Sequence, residues 1–140
     1  METAPPKTLN PEQYAALAAF RHELRRFLSF SEAAAASAGL PAQQHQALLA
    51  VAGHRGAGPP TVGTVAERLI IAPQTAAELV ARMADAGLLT KAVSAADRRR
   101  QELALTPKAE ALLAALTEAH LDELANLDAA LSRALRASRL

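Results

Sequence analysis

The apolar positions of the chain recur first at helical spacing. Tyr14, Leu17, Phe20, Leu24, Phe27 and Leu28 fall mostly three or four residues apart, which predicts one long helix with a stripe that must be buried against another element. Asn10 and Pro11 supply its N-cap and first helical position, and Gly39 ends it. A second helix is predicted over 41–54, burying Leu48, Leu49 and Val51, before the Gly- and Pro-rich loop of 53–60. Thr61 caps a short helix through Leu69, a turn follows at Ile70 to Ala72, and Pro73 opens a further helix that Gly87 stops. On that helix Ala76, Leu79, Val80 and Met83 share a core face, leaving Gln74, Ala77, Glu78 and Ala81 opposite, with Arg82 on the flank.

The pattern then changes period. Residues 88–93 and 102–106 read as two strands joined by 94–101, a hairpin with a long basic tip. After Pro107 a last helix carries Leu113, Leu116, His120, Leu124, Leu127 and Leu131 at steps of three and four, a seam suited to helix pairing.

Charge changes this picture only locally. The net charge is +1, and 61–106 holds six cations against five carboxylates, yet Arg98, Arg99 and Arg100 are adjacent at the hairpin tip. Cations presented from a rigid hairpin suit a phosphate backbone, which makes nucleic acid the first partner to test; the plainer alternative is a solvated loop. With no Cys, disulfides, thiolate zinc sites and thiol redox sensing are excluded. His22, His45, His54 and His120 are scattered without ligand spacing, so neither a metal nor a cofactor is expected. There is no nucleophile elbow, phosphate loop or glycine fingerprint, so no enzyme is predicted. Neither a signal peptide nor a membrane-spanning run is recognised, and the expected compartment is the cytoplasm.

Helix, turn, helix and hairpin in that order, flanked by long terminal helices, resembles the winged helix-turn-helix regulators of the MarR (multiple antibiotic resistance regulator) family. The resemblance spans about 40–116. It rests on Leu40, Gln43, Leu48 and Leu49, on Thr61 to Leu69, on Thr75 to Leu89, and above all on the wing signature Asp97, Arg98, Arg99 with Leu105, Thr106 and Pro107. It implies a mainly α fold with a small β-hairpin wing: a disordered tail over 1–10 and a single domain over 11–140, with dimerisation helices at 11–38 and 108–140 around a winged lobe at 41–106. The implied function is a DNA-binding transcriptional regulator of bacterial type, a homodimeric repressor of an inverted repeat in double-stranded DNA, released by a small aromatic or phenolic ligand. The alternative is a winged-helix protein-interaction module that has lost DNA binding.

By the same resemblance, Gln74, Thr75, Glu78 and Arg82 are the recognition-helix candidates. Arg98, Arg99 and Arg100 form the wing, with Asp97 holding Arg99 at a minor groove, and Thr61 and Lys91 are phosphate candidates. Leu17, Leu113, Leu116, His120, Leu124, Leu127 and Leu131 are placed at the dimer interface, and Tyr14, Arg21, Arg25 and His45 at a candidate ligand pocket. Three departures stand out. Ala77 and Glu78 replace a polar or basic pair, Ala72 replaces a Ser-like N-cap, and Ile70 replaces a small turn residue, which suggests a packed turn. Glu78 has two readings, acceptor from a cytosine amino group or intrahelical ion pair with Arg82 four residues on.

Overall fold

The computed structural model describes residues 3–4 and 9–139, so most of the tail over 1–10 lies outside the described residues. The element order is α1 (Pro11–Ser37), α2 (Ala42–Ala52), α3 (Val62–Leu69), α4 (Pro73–Asp85), β1 (Leu89–Val93), β2 (Gln101–Leu105), α5 (Pro107–Leu121) and α6 (Leu124–Ala137). The fold is mainly α with a two-stranded antiparallel hairpin. The chain divides into two compact units, Glu32–Glu118 and the segments on either side of it.

The Glu32–Glu118 unit is built around Leu48, His45, Val65, Val80 and Met83, all essentially without solvent exposure. Leu40, Leu103, Ala109, Leu113 and Leu116 complete the same core. Thr61 starts α3 through a reciprocal capping box: its hydroxyl accepts from the Thr64 N–H at 3.4 Å, and its own N–H donates to Thr64 Oγ1 at 3.0 Å. The hairpin pairs Leu89 with Leu105, Lys91 with Leu103 and Val93 with Gln101. Its second strand is also fastened to the start of α3, because the Leu103 N–H donates to the Pro60 carbonyl at 2.8 Å and Thr61 bridges Glu102. Thr106 closes the base of the hairpin by donating from its hydroxyl to the Gly87 carbonyl at 2.6 Å.

Helices α1, α3 and α4 end through a residue in left-handed conformation. Gly39 and Gly87 adopt φ of 76° and 75°, which glycine takes without steric cost, but after α3 the position is Ile70 at φ 55°, ψ 52°. A β-branched residue there is strained. The packed turn expected at Ile70 is not found: its side chain is 91% exposed, so no buried contact offsets the strain. Ile70→Gly is therefore expected to raise stability by about 1 kcal/mol, the left-handed penalty less glycine's greater unfolded-state entropy. A thermal melt should show a midpoint higher by about 3–5 °C, and an unchanged or lower midpoint would refute the strain.

In the other unit, Asn10 caps α1 as expected, its Oδ1 accepting from the Glu12 N–H at 2.8 Å while Gln13 Oε1 accepts from the Asn10 N–H at 3.0 Å. The Gln13 side-chain amide donates to the Ala137 carbonyl of α6 at 3.1 Å. His120 is buried against Phe27 and Phe30 in edge-to-face contacts, with ring centroids 5.7 and 5.1 Å away.

Four expectations are corrected by these contacts. The C-terminal helix is not continuous: 122–123 form a tightened turn, in which the Glu123 N–H donates to the His120 carbonyl at 3.1 Å and the Asn126 N–H to the Glu123 carbonyl at 3.2 Å. Leu113 and Leu116, expected at a dimer seam, are 7% and 6% exposed inside the core and have no surface left for a partner. His120 is likewise used within the chain, by the two phenylalanines. Leu49, expected to be buried, is 42% exposed, because the inward face of α2 is taken by His45, Leu48 and Val51.

Candidate nucleic-acid interface

The core face of α4 is as expected, with Ala76, Leu79, Val80 and Met83 buried. This leaves Gln74, Thr75, Ala77, Glu78 and Arg82 exposed on the other side. The helix begins with Pro73, and its N-cap Ala72 makes no side-chain capping bond. Glu78 does not pair with Arg82. Its Oε1 instead accepts a long hydrogen bond, 3.4 Å, from the Gln74 side-chain amide one turn earlier. The outward face of α4 thus carries a linked Gln74–Glu78 pair between small residues, with its cation, Arg82, near its C-terminal end.

The wing tip is held by two short side chains. Buried Ser94 accepts through Oγ from the N–H groups of Ala96 and Asp97, both at 3.2 Å, and its own N–H donates to the Arg100 carbonyl at 2.9 Å. Asp97 then organises the arginines. Its Oδ1 accepts from the Arg99 backbone N–H at 3.0 Å and from Arg99 Nε at 3.3 Å, and its Oδ2 is 3.9 Å from Arg100 Nε. The Arg99 side chain is nonetheless 92% exposed. It is anchored at Nε while the end of its guanidinium remains open to solvent.

The Arg99 N–H, then the Arg99 side chain and more weakly the charge of Arg100, hold the Asp97 carboxyl below its ordinary value against a small opposing loss of hydration. A lowered pKa means that the contact is complete above the ordinary carboxylate range and is lost only as pH falls through the lowered value. The tip therefore keeps one electrostatic state across neutral pH.

Between wing and helices lies an open groove of about 670 Å³, walled by Thr61 to Thr64 at the start of α3, Glu67 further along it, Ala77 of α4, and Val93 and Arg98 to Gln101 of the wing. The positive end of the α3 dipole and three guanidinium groups border the same space against one carboxylate, Glu67, a balance that still favours a polyanion. Thr61 is in this wall, although its hydroxyl already serves the α3 cap. Lys91 is exposed on β1 and does not line the groove.

Of the candidate ligand residues, Tyr14, Arg21 and Arg25 belong to one compact unit and His45 to the other. His45 is 1% exposed within its own core. Tyr14 borders a shallow groove with Leu9, Gln13, Leu17, Ala134 and Ser138, and neither Arg21 nor Arg25 is part of its wall. Of the dimer candidates, Leu17, Leu124 and Leu131 are exposed at 56%, 45% and 43%, and Leu127 is half-buried. Ser94 and Thr64 were not legible as site residues. A Ser three residues before an Asp in a turn is the signal that could have found the first.

A capped helix, a tight turn, a second helix with an exposed polar face and a hairpin carrying arginines beside it define a winged helix-turn-helix fold. The sequence model of the MarR family matches residues 38–100, the helix-turn-helix and most of the wing. Over that lobe, which is a little under half of the chain, the sequence is similar to the MarR family. Among solved structures it is similar to AbsC of Streptomyces coelicolor, a MarR family transcriptional regulator, at 15% identity and a TM-score of 0.68, over 87% of this chain and 82% of that one. It is similar to Staphylococcus aureus MepR, a transcription regulator of the multidrug efflux pump MepA, at 21% identity and 0.67, over 83% and 82%. It also resembles MepR in a complex with DNA, at 21% identity and 0.65, over 79% and 80%. At such identities these likenesses establish the fold. Among curated proteins no sequence matches.

Proposed function

We propose that the chain is a homodimeric repressor that binds an inverted repeat in double-stranded DNA, with α4 in successive major grooves and each wing at an adjacent minor groove. The observation that carries this reading is Arg99, exposed at its tip and fixed at its base by Asp97, beside the exposed face of α4. A narrow minor groove concentrates negative potential and rewards a guanidinium presented in this way. MepR, of the same fold, has been solved with DNA bound. Dimer formation is supported by Tyr14 and Leu17 of α1, Leu121 at the end of α5, and Leu124, Leu131 and Leu135 of α6, all large, apolar and exposed in the single chain. Likeness to the MarR family supports extending the proposal to repression, relief by a small aromatic or phenolic ligand, and a cytoplasmic setting. Among the described residues no helix is long and apolar enough to cross a membrane.

Selection from random duplexes tests the reading. The protein should recover an inverted repeat, with affinity falling steeply as salt rises. Recovery of no duplex would favour the protein-interaction alternative. Gln74→Ala should change the ranking of operators by about tenfold at one position per half-site and affect mean affinity less, because Gln74 is the amide best placed to read a base edge. Equal losses on all operators would reassign Gln74 to positioning.

A further inference from the structure

We infer that Ile70 reads DNA, by apolar contact with the 5-methyl group of thymine in the major groove at the leading end of α4. The inference rests on the DNA-binding reading above and assigns that interface a specificity-determining residue. Ile70 lies in the turn just ahead of α4, as the C-cap of α3 and two residues before the N-cap Ala72, and so beside the N-terminal end of a recognition helix, the end that meets base edges. The fold does not need isoleucine here. The left-handed ends of α1 and α4 are closed by Gly39 and Gly87, while at φ 55° Ile70 carries backbone strain and exposes 91% of its surface. The turn hydrogen bonds, from the Ile70 N–H to the Glu67 carbonyl at 3.3 Å and from the Ile71 N–H to the Ala66 carbonyl at 3.1 Å, come from the backbone and would serve glycine equally. Strain kept where packing does not require it points to a role outside the folded chain.

The chemistry of the neighbouring surface says which role. Between Ile70 and Arg82 the exposed face of α4 presents no cation, so the bidentate reading of guanine by Arg or Lys is not available there. The exposed methyl groups near its leading end are those of Ile70 in the turn and of Thr75 and Ala77 on either side of buried Ala76, beside the Gln74–Glu78 pair. Apolar side chains of this kind match the thymine methyl, the one apolar feature of the major-groove edge. A protein partner fits less well. Leu69 and Ile71 on either side are half-buried, so Ile70 is a single protruding side chain and not a contiguous patch.

The test uses the full chain and the duplex recovered by selection, beside the same duplex with every thymine replaced by uracil, which removes only the methyl groups. Wild type should bind the uracil duplex more weakly, by about fourfold for each half-site methyl lost and about fifteenfold for two. Ile70→Gly and Ile70→Asn both tolerate the left-handed backbone, so both should fold. Each should lose a similar factor on the thymine duplex and discriminate little between the two duplexes. Equal wild-type affinity for both, unchanged discrimination in the variants, or a selected half-site without thymine would overturn the assignment while leaving DNA binding in place. Failure of wild type to bind any duplex would remove the DNA-binding reading and this inference together.

Discussion

Arg99→Ala is expected to lower DNA affinity about a hundredfold, and by a similar factor on every sequence. A charge-assisted hydrogen bond is worth about 1.5 kcal/mol net, and a symmetric dimer carries two wings, giving about 3 kcal/mol in all. The loss should be uniform because a wing at the minor groove reads potential and width more than base identity. The slope of log affinity against log salt should also become shallower by about 2, one counterion for each lost contact. Pre-organisation is what distinguishes Arg99 from its neighbours. Asp97 holds it through both backbone and side chain, whereas Arg100 approaches the same carboxylate only at 3.9 Å and Arg98 makes no ion pair with it. Arg98→Ala and Arg100→Ala should therefore cost less, and Asp97→Asn should fall between them and Arg99→Ala. Titration by fluorescence anisotropy at several salt concentrations measures all four. Full affinity in Arg99→Ala would show that the wing does not carry the interaction.

Leu124→Asp should convert the proposed dimer to folded monomers. Leu124 is 45% exposed in the single chain, near Leu121 at 58% and on the same helix as Leu131 and Leu135. Each leucine buried by a partner contributes about 1.5–3 kcal/mol, and a two-fold axis places the substituted carboxylate in the interface twice. The dimer dissociation constant should rise by about a thousandfold, with cooperative binding to the two half-sites lost. Because the side chain is exposed in the monomer, the helical circular-dichroism signal should persist. Leu113→Asp provides the contrast: Leu113 lies in the core of the winged lobe, so a charge there should unfold the lobe instead of parting two intact chains. Sedimentation of both variants decides the matter, and an intact Leu124→Asp dimer would refute the proposed seam.

Ile70 shows where reading by residue type stops. Its position ahead of Pro73 identifies a turn, but an isoleucine in a turn invites a packed interpretation, and only the backbone angle and the open surface around it reveal strain without burial. Glu78 is similar. Spacing offers Arg82 four residues later as a partner, and the carboxylate instead meets Gln74 four residues earlier, a choice between two equivalent spacings that side-chain conformation makes. The wing signature, by contrast, is legible because its chemistry is local: Asp97 reaches Arg99 across two residues, so adjacency in sequence is adjacency in space.

What the sequence determined by itself follows from interactions of short range. The starts of α1, α3 and α4 at Asn10, Thr61 and Pro73, the stop at Gly87, the buried face of α4 and the basic hairpin tip all rest on caps, φ preferences and periodicity within a few residues. The tertiary structure alone decided which surfaces remain available. Leu113 and Leu124 belong to one unbroken pattern of threes and fours, yet the first is spent in the core of the winged lobe and the second is left exposed beyond the turn at 122–123. No Gly or Pro marks that turn, and burial depends on partners distant in the chain, so a helical repeat specifies that a face is apolar without specifying what will cover it.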